Sequence, residues 1–242
     1  MLALLHGFAQ TPASWREVEA TLPASLGARA IDVPVGATWD DTIDQLARSL
    51  DRDVGPDAIV CGYSLGARLA LGLLARDLVP AAILVGVHPG LASEAERAER
   101  RAADARWAER LRQDGTAAFL TAWEAQPTFA TQARASADVR ARRHAERGAL
   151  DPHALATAME VLGLGAMPDL RAALVARAHR AHLVVGGDDA KFLAVARTLV
   201  HQAPALVIDV VDGSGHDPTL EQPAALAAII THAAARLTSA VL

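Results

Sequence analysis

Short apolar runs alternate along the chain with longer stretches in which apolar positions return every three or four residues. Leu2 to Leu5 is the first run, and it stops at His6-Gly7-Phe8. Ala28 to Val33 is the second, closed by Pro34. Ala58 to Cys61, Ala81 to Val87, His182 to Val185 and Ala205 to Val211 follow. Runs this short between turn residues predict buried strands. Helix patterns lie between them. Asp40 to Leu50 carries Ile43, Leu46, Ala47 and Leu50 on one face, and Leu65 to Ala75 is rich in Ala and Leu. Lys191 to Val200 and Pro223 to Leu237 are the last two, the final one with Pro at its start. Strands that are apolar throughout, separated by helices, imply a mostly parallel sheet with helices on both faces.

From about Leu91 to Leu164 the strand pattern stops. Glu94 to Arg112 is dense in Glu and Arg, Trp107, Phe119, Leu120 and Trp123 recur at helical intervals, and Ala154 to Leu164 forms a further helix pattern. The expected organisation is an α/β core of residues 1–90 and 165–242, with residues 91–164 as a helical cap over the sheet's C-terminal edge. Met1 sits almost on the His6-Gly7 loop, so the sheet is expected to be shortened at its N-terminal edge.

Composition narrows the picture a little. At 242 residues and 52% apolar, the chain can bury a large core and is not a disordered one. A net charge of -5 argues against a nucleic-acid partner. The lone cysteine, Cys61, excludes an internal disulfide and a cysteine metal cluster, and its apolar setting suits strand filling. The apolar start is too short for a signal peptide, and no run approaches a membrane span, so a cytoplasmic protein is the expectation.

The chemistry centres on Gly62-Tyr63-Ser64-Leu65-Gly66. Gly-x-Ser-x-Gly between a strand and a helix is a nucleophile elbow, whose tight turn exposes the serine above the sheet. Such a serine needs a base, and the base needs an orienting acid, in the chain order Ser, acid, His. His216, in Gly213-Ser214-Gly215-His216, stands on a flexible loop after a strand and is the expected base. His179, His182, His201 and His232 are taken as surface or strand-end residues, His144 and His153 as cap surface, and His6 and His88 as loop-shaping. Asp189 is the expected acid, with Asp188 as the alternative; Asp209 and Asp212 suit strand-end or turn roles. The backbone N–H groups of Phe8 and Leu65 are the natural oxyanion donors.

These segments resemble the 2-succinyl-6-hydroxy-2,4-cyclohexadiene-1-carboxylate synthases of menaquinone biosynthesis, a branch of the α/β-hydrolases. The resemblance rests on Leu5-His6-Gly7-Phe8, the elbow with Ala67-Arg68, and His88-Pro89-Gly90-Leu91. It also rests on Glu96-Arg97-Ala98-Glu99-Arg100, Pro168-Asp169-Leu170-Arg171, Asp189-Ala190-Lys191-Phe192 and Gly215-His216. It implies a lyase rather than a hydrolase. Ser64, activated by His216 and Asp189, would abstract a proton and trigger 2,5-elimination of pyruvate from 2-succinyl-5-enolpyruvyl-6-hydroxy-3-cyclohexene-1-carboxylate. No cofactor and no metal are implied. The partner is a small polycarboxylate, and the binding residues implied are Tyr63, Arg68, Arg100, Trp123 and Arg147, with Arg143 as the alternative to Arg147. Guanidinium groups suit carboxylates because their donors form a planar fork. Arg68 also has its own argument, one helical turn past Ser64. The chain departs from the family pattern in the loop Asp32 to Ala37, at Ala67 and around Arg143 to Asp151.

Two other readings use the same residues. A carboxylesterase or carbon–carbon bond hydrolase would acylate Ser64. A non-catalytic receptor would keep the triad geometry and bind a small ligand without turnover.

Overall fold

The computed structural model describes residues 1–241. Its sheet has six strands, all parallel, in the order β2-β1-β3-β4-β5-β6. They are β1 (Leu2–Leu5), β2 (Ala28–Ile31), β3 (Ile59–Tyr63), β4 (Ala82–Val85), β5 (Ala181–Gly186) and β6 (Val207–Val211). Each coincides with a short apolar run: β1 matches its run, β2, β4 and β6 are trimmed by one to three residues, and β3 and β5 run one or two residues further. β2 forms the edge on the N-terminal side and β6 the other.

Alternation within the strands builds two cores. Ala3, Leu5, Val60, Ala82, Leu84, Leu183 and Val185 point to one face. There they meet α2 (Trp39–Asp53), α3 (Leu65–Ala75), α7 (Arg171–Ala176) and α8 (Ala190–Gln202). Leu2, Leu4, Ile59, Cys61, Tyr63, Ile83 and Val184 point to the other face, against α1 (Arg16–Glu19) and α10 (Pro223–Val241). Burying each Leu, Ile or Val among them is worth ~1.5–3 kcal/mol, so a strand apolar on both faces is stable only between two helical layers. Among the described helices none is long and apolar enough to cross a membrane.

Between β4 and β5 the chain is helical: α4 (Glu94–Glu124), α5 (Ala137–Gly148) and α6 (Pro152–Leu162), with a 3-10 segment at Pro127–Arg134. Ser93 starts α4 with a reciprocal capping box to Glu96. Gly115, at φ 76°, interrupts α4, so two helices meet there at an angle. A third apolar cluster of Leu111, Phe119, Leu120, Leu155 and Met159 joins α4 to α6 and reaches Phe8 and Trp123.

His182 differs from its expected surface or strand-end place. It is fully buried in β5, with Nε2 2.7 Å from Asp209 Oδ2 on β6 and Nδ1 3.2 Å from Arg236 on α10. The polar partners from two neighbouring elements make that burial affordable. The loop before His216 is also not a free one: Ser214, Gly215 and His216 are buried. The Gly215 N–H donates to Glu221 of α9 (Pro218–Glu221) at 2.8 Å.

Candidate active site

The strand order reverses between β1 and β3, because β2 pairs on one side of β1 and β3 on the other. A crevice forms at the C-terminal ends of strands at such a point. Ser64 follows β3, and the His6-Gly7-Phe8 loop follows β1.

The turn at Ser64 is strained. Its φ of 52° and ψ of -105° hold a non-glycine residue in a sparsely populated region. The crowding around it requires the glycines. A Cβ on Gly62 would lie 2.2 Å from the Gly66 carbonyl, and one on Gly66 would lie 2.2 Å from the Leu5 oxygen. Strand and helix therefore touch backbone to backbone, and Ser64 is lifted clear at the N-terminus of α3.

The Ser64 hydroxyl lies 3.2 Å from His216 Nε2, and His216 Nδ1 lies 2.7 Å from Asp189 Oδ2. With Nδ1–H donating to the carboxylate, Nε2 is left to accept the hydroxyl proton. Asp189 is held in turn: it caps α8, its Oδ1 accepting from the Phe192 N–H at 3.2 Å. Asp188 faces away and pairs with Arg134 on the surface. Adjacent carboxylates thus part company, one into the helix cap and one into solvent. Phe192 and Tyr63 pack on the His216 ring at 4.4 and 5.6 Å between centroids.

No turn or loop hydrogen bond among the described residues occupies the N–H of Phe8 or Leu65. His6 braces the Phe8 loop, its Nε2 accepting from the Val33 N–H at 3.3 Å and its Nδ1 lying 2.9 Å from the Gly7 oxygen. Burial pushes the His6 ring below its ordinary pKa, which keeps it neutral in that role.

A cavity of about 170 Å3 stands over Ser64. Phe8, Arg68, Arg100, Trp123 and His216 are in its wall, together with Met159 and Leu162 from α6. Arg68 is half-buried and donates to the Leu162 oxygen at 2.7 Å. Burial, and then the neighbouring Arg100, push its pKa down to about 9. Arg100 is steered by the buried Asp104, four residues on along α4, at 2.8 Å. Trp123 stacks on Phe119 at 5.2 Å and lies tilted against Phe8 and Phe129 at 5.6 and 6.0 Å.

Tyr63 and Arg147 lie outside that wall. Tyr63 is buried beneath His216, and burial raises its pKa well above the ordinary phenol value, so it stays neutral. Arg147 donates to the Ala9 oxygen at 3.0 Å and to Glu124 at 2.7 Å, in the wall of a second cavity of about 700 Å3. Arg143 is buried in a network with Thr219, the Ser14 oxygen and Glu17, tying α5 to the sheet-bearing part of the chain.

The wall also contains residues to which the sequence patterns assigned no binding role. Gln126, Thr128 and Phe129 come from around the 3-10 segment, whose Pro, Thr, Ala and Gln composition carries no recognisable signal. His88 accepts the Gly90 N–H on Nδ1 at 3.2 Å, so its ring proton sits on Nε2. Burial, and then Lys191, push the His88 pKa down to about 4. Lys191 itself is in the wall. It stands in the Asp-Ala-Lys-Phe segment, but nothing in spacing alone marks it as facing Ser64.

The chain matches a family model described as the alpha/beta hydrolase family over residues 2–229. It is 34% identical to the 2-succinyl-6-hydroxy-2,4-cyclohexadiene-1-carboxylate synthase of Escherichia coli O139:H28 (strain E24377A / ETEC). That match spans 239 residues, 94% of this chain and 90% of the relative. The synthase of the same name from Enterobacter sp. (strain 638) is also 34% identical, over 95% of this chain and 89% of the relative. Among solved structures, MenH from S. aureus superposes with a TM-score of 0.87 at 24% identity, covering 99% of this chain and 93% of that one.

Proposed function

The chain belongs to the alpha/beta hydrolase family and, within it, to the 2-succinyl-6-hydroxy-2,4-cyclohexadiene-1-carboxylate synthases; from that premise we propose that Ser64 is the base of a pyruvate elimination. The substrate is 2-succinyl-5-enolpyruvyl-6-hydroxy-3-cyclohexene-1-carboxylate. One observation carries the assignment of residues: Ser64, His216 and Asp189 are hydrogen-bonded in series beneath a cavity whose wall has guanidinium groups and no carboxylate.

The names of substrate and product locate the proton. A ring double bond at C3 becomes a diene at C2 and C4, so the proton leaves C2 and the enolpyruvyl oxygen leaves C5. Ser64 Oγ takes the C2 proton as its own passes to His216 Nε2. The C2 electron pair forms the C2–C3 bond, the ring double bond moves to C4–C5, and the C5–O bond breaks. The departing enolate of pyruvate takes up a proton to give the keto acid. Asp189 stabilises the imidazolium formed on the way, as a buried carboxylate does for a histidine base.

C2 bears the succinyl carbonyl. Proton loss therefore puts negative charge on that oxygen, within the reach of the unoccupied Phe8 and Leu65 N–H groups. Each such donor is worth ~3 kcal/mol in the transition state. Arg68 and Arg100 hold substrate carboxylates, and Trp123 packs on the apolar ring face.

The test is direct. The purified protein should release pyruvate from the precursor, Ser64→Ala should abolish the release, and p-nitrophenyl acetate should turn over feebly. Brisk ester hydrolysis with the precursor untouched would replace the elimination with an acyl-enzyme pathway.

A further inference from the structure

Lys191 is the second residue of α8, directly after the Asp189 cap and Ala190. A cation in the first turn of a helix opposes the helix dipole, an effect that works against folding. No carboxylate among the described residues offsets it. Asp188 is engaged by Arg134 and Asp189 by His216, and Lys191 forms no ion pair among the described residues. Its ammonium nitrogen lies 5.6 Å from the centre of the Phe192 ring, a contact that leaves its hydrogen-bonding capacity free.

Its position is the second observation. Lys191 reaches the cavity from α8, Arg68 from α3 and Arg100 from α4, so three elements each supply one cation to a single wall. No Asp or Glu lines that wall. Only Arg100 has a carboxylate partner, Asp104. Lys191 is exposed and Arg68 and Arg100 are half-buried, so water meets these charges until an anion takes its place.

We propose that Lys191 is a third substrate-binding cation, pairing with a carboxylate that Arg68 and Arg100 do not hold. The inference rests on the elimination reading, whose substrate has a ring carboxylate, a succinyl carboxylate and an enolpyruvyl carboxylate: one for each cation. It also gives the Asp-Ala-Lys-Phe segment a purpose. Asp189 orients the base, Phe192 covers its ring, and Lys191 holds the substrate against both.

Pyruvate release by wild type, Lys191→Met and Lys191→Arg separates the possibilities. Lys191→Met should raise KM for the precursor by about tenfold, the lower end for a charged hydrogen bond, with a smaller change in kcat. Its melting temperature should not fall, because a cation has left the wrong end of a helix. Lys191→Arg should recover most of the loss, and added salt should weaken wild-type kcat/KM more steeply than that of Lys191→Met. An unchanged KM and salt slope, or a loss in melting temperature that Arg does not restore, overturns the assignment.

A titration with citrate, a tricarboxylate, read by Trp123 fluorescence, keeps the two readings distinguishable. Citrate should bind wild type several-fold more tightly than Lys191→Met, whether or not the precursor is turned over. Equal affinity for the two proteins, or no binding to either, overturns the role of Lys191. Binding that depends on Lys191 without pyruvate release would instead overturn the elimination.

Discussion

Two cavities lie side by side beneath the helices between β4 and β5, sharing Gln126 and Phe129 in their walls, and they treat charge in opposite ways. The larger, of about 700 Å3, is lined by Arg140, Arg143, His144 and Arg147, and also by Glu124 and Asp217. Arg147 and His144 both bond Glu124, and Arg143 reaches Asp217 and Glu17. The smaller, of about 170 Å3, has Arg68, Arg100 and Lys191 facing Ser64 with no acid in the wall. Neither size nor the number of arginines singles out the reactive cavity. The acids do: in the larger cavity Arg143, His144 and Arg147 each meet a carboxylate, whereas in the smaller one only Arg100 does, through Asp104, and Arg68 and Lys191 have none among the described residues.

The sharpest way to break this contrast is to remove His216, the proposed base under the smaller cavity. His216→Ala should lower the rate of pyruvate release by ~10^3, within the range for general base catalysis, and leave the larger cavity unchanged. Steady-state kinetics checks it.

Next come the arginines. Arg143→Met leaves Glu17 and Asp217 without their buried partner and should destabilise the fold by ~3–5 kcal/mol in urea unfolding, with KM close to wild type in the protein that remains folded. Arg100→Lys keeps a charge on the buried Asp104 but loses the planar fork. It should cut kcat/KM by about tenfold while the urea midpoint holds. If both substitutions damage stability and leave catalysis alone, the two cavities are alike.

A smaller effect tests the burial of the wall and, after it, the cations beside His88. The His88 pKa stands at about 4 in the folded chain, below its ordinary value. As pH falls below about 6.5 the unfolded chain takes up the proton and the folded one does not. Stability should therefore decline from pH 6.5 toward 4, with His88 contributing ~2–3 kcal/mol of that decline. The burial of His6 and His182 lowers their pKa values too and adds in the same direction. The share of His88 is the difference in slope between wild type and His88→Asn. An identical slope would mean that His88 is not held neutral. The smallest effect is at Cys61, whose thiol burial drives well above its ordinary pKa. It should not react with a thiol reagent until the protein unfolds.

Much of the frame was readable in the residues. The limits of α3 match the pattern Leu65 to Ala75 because a strained glycine turn begins it and a falling apolar density ends it. The strands were visible because burial on both faces demands unbroken apolar runs. Asp188 and Asp189 could not be told apart by spacing, since capping of the Phe192 N–H is what turns Asp189 inward. The fates of Arg143 and Arg147 were hidden for a similar reason. Their partners Glu17, Asp217 and Ala9 are distant in sequence, and only folding brings them together. His182 looked like a strand-end residue because its partner Asp209 sits on a neighbouring strand.

The central claim is that Ser64 takes a proton and is never acylated. The most direct measurement uses precursor deuterated at C2, with pyruvate release followed in a single turnover and the intact protein weighed after quenching. The account predicts a primary isotope effect on release and no mass added to the chain. An unaltered rate together with an adduct on Ser64 would contradict it.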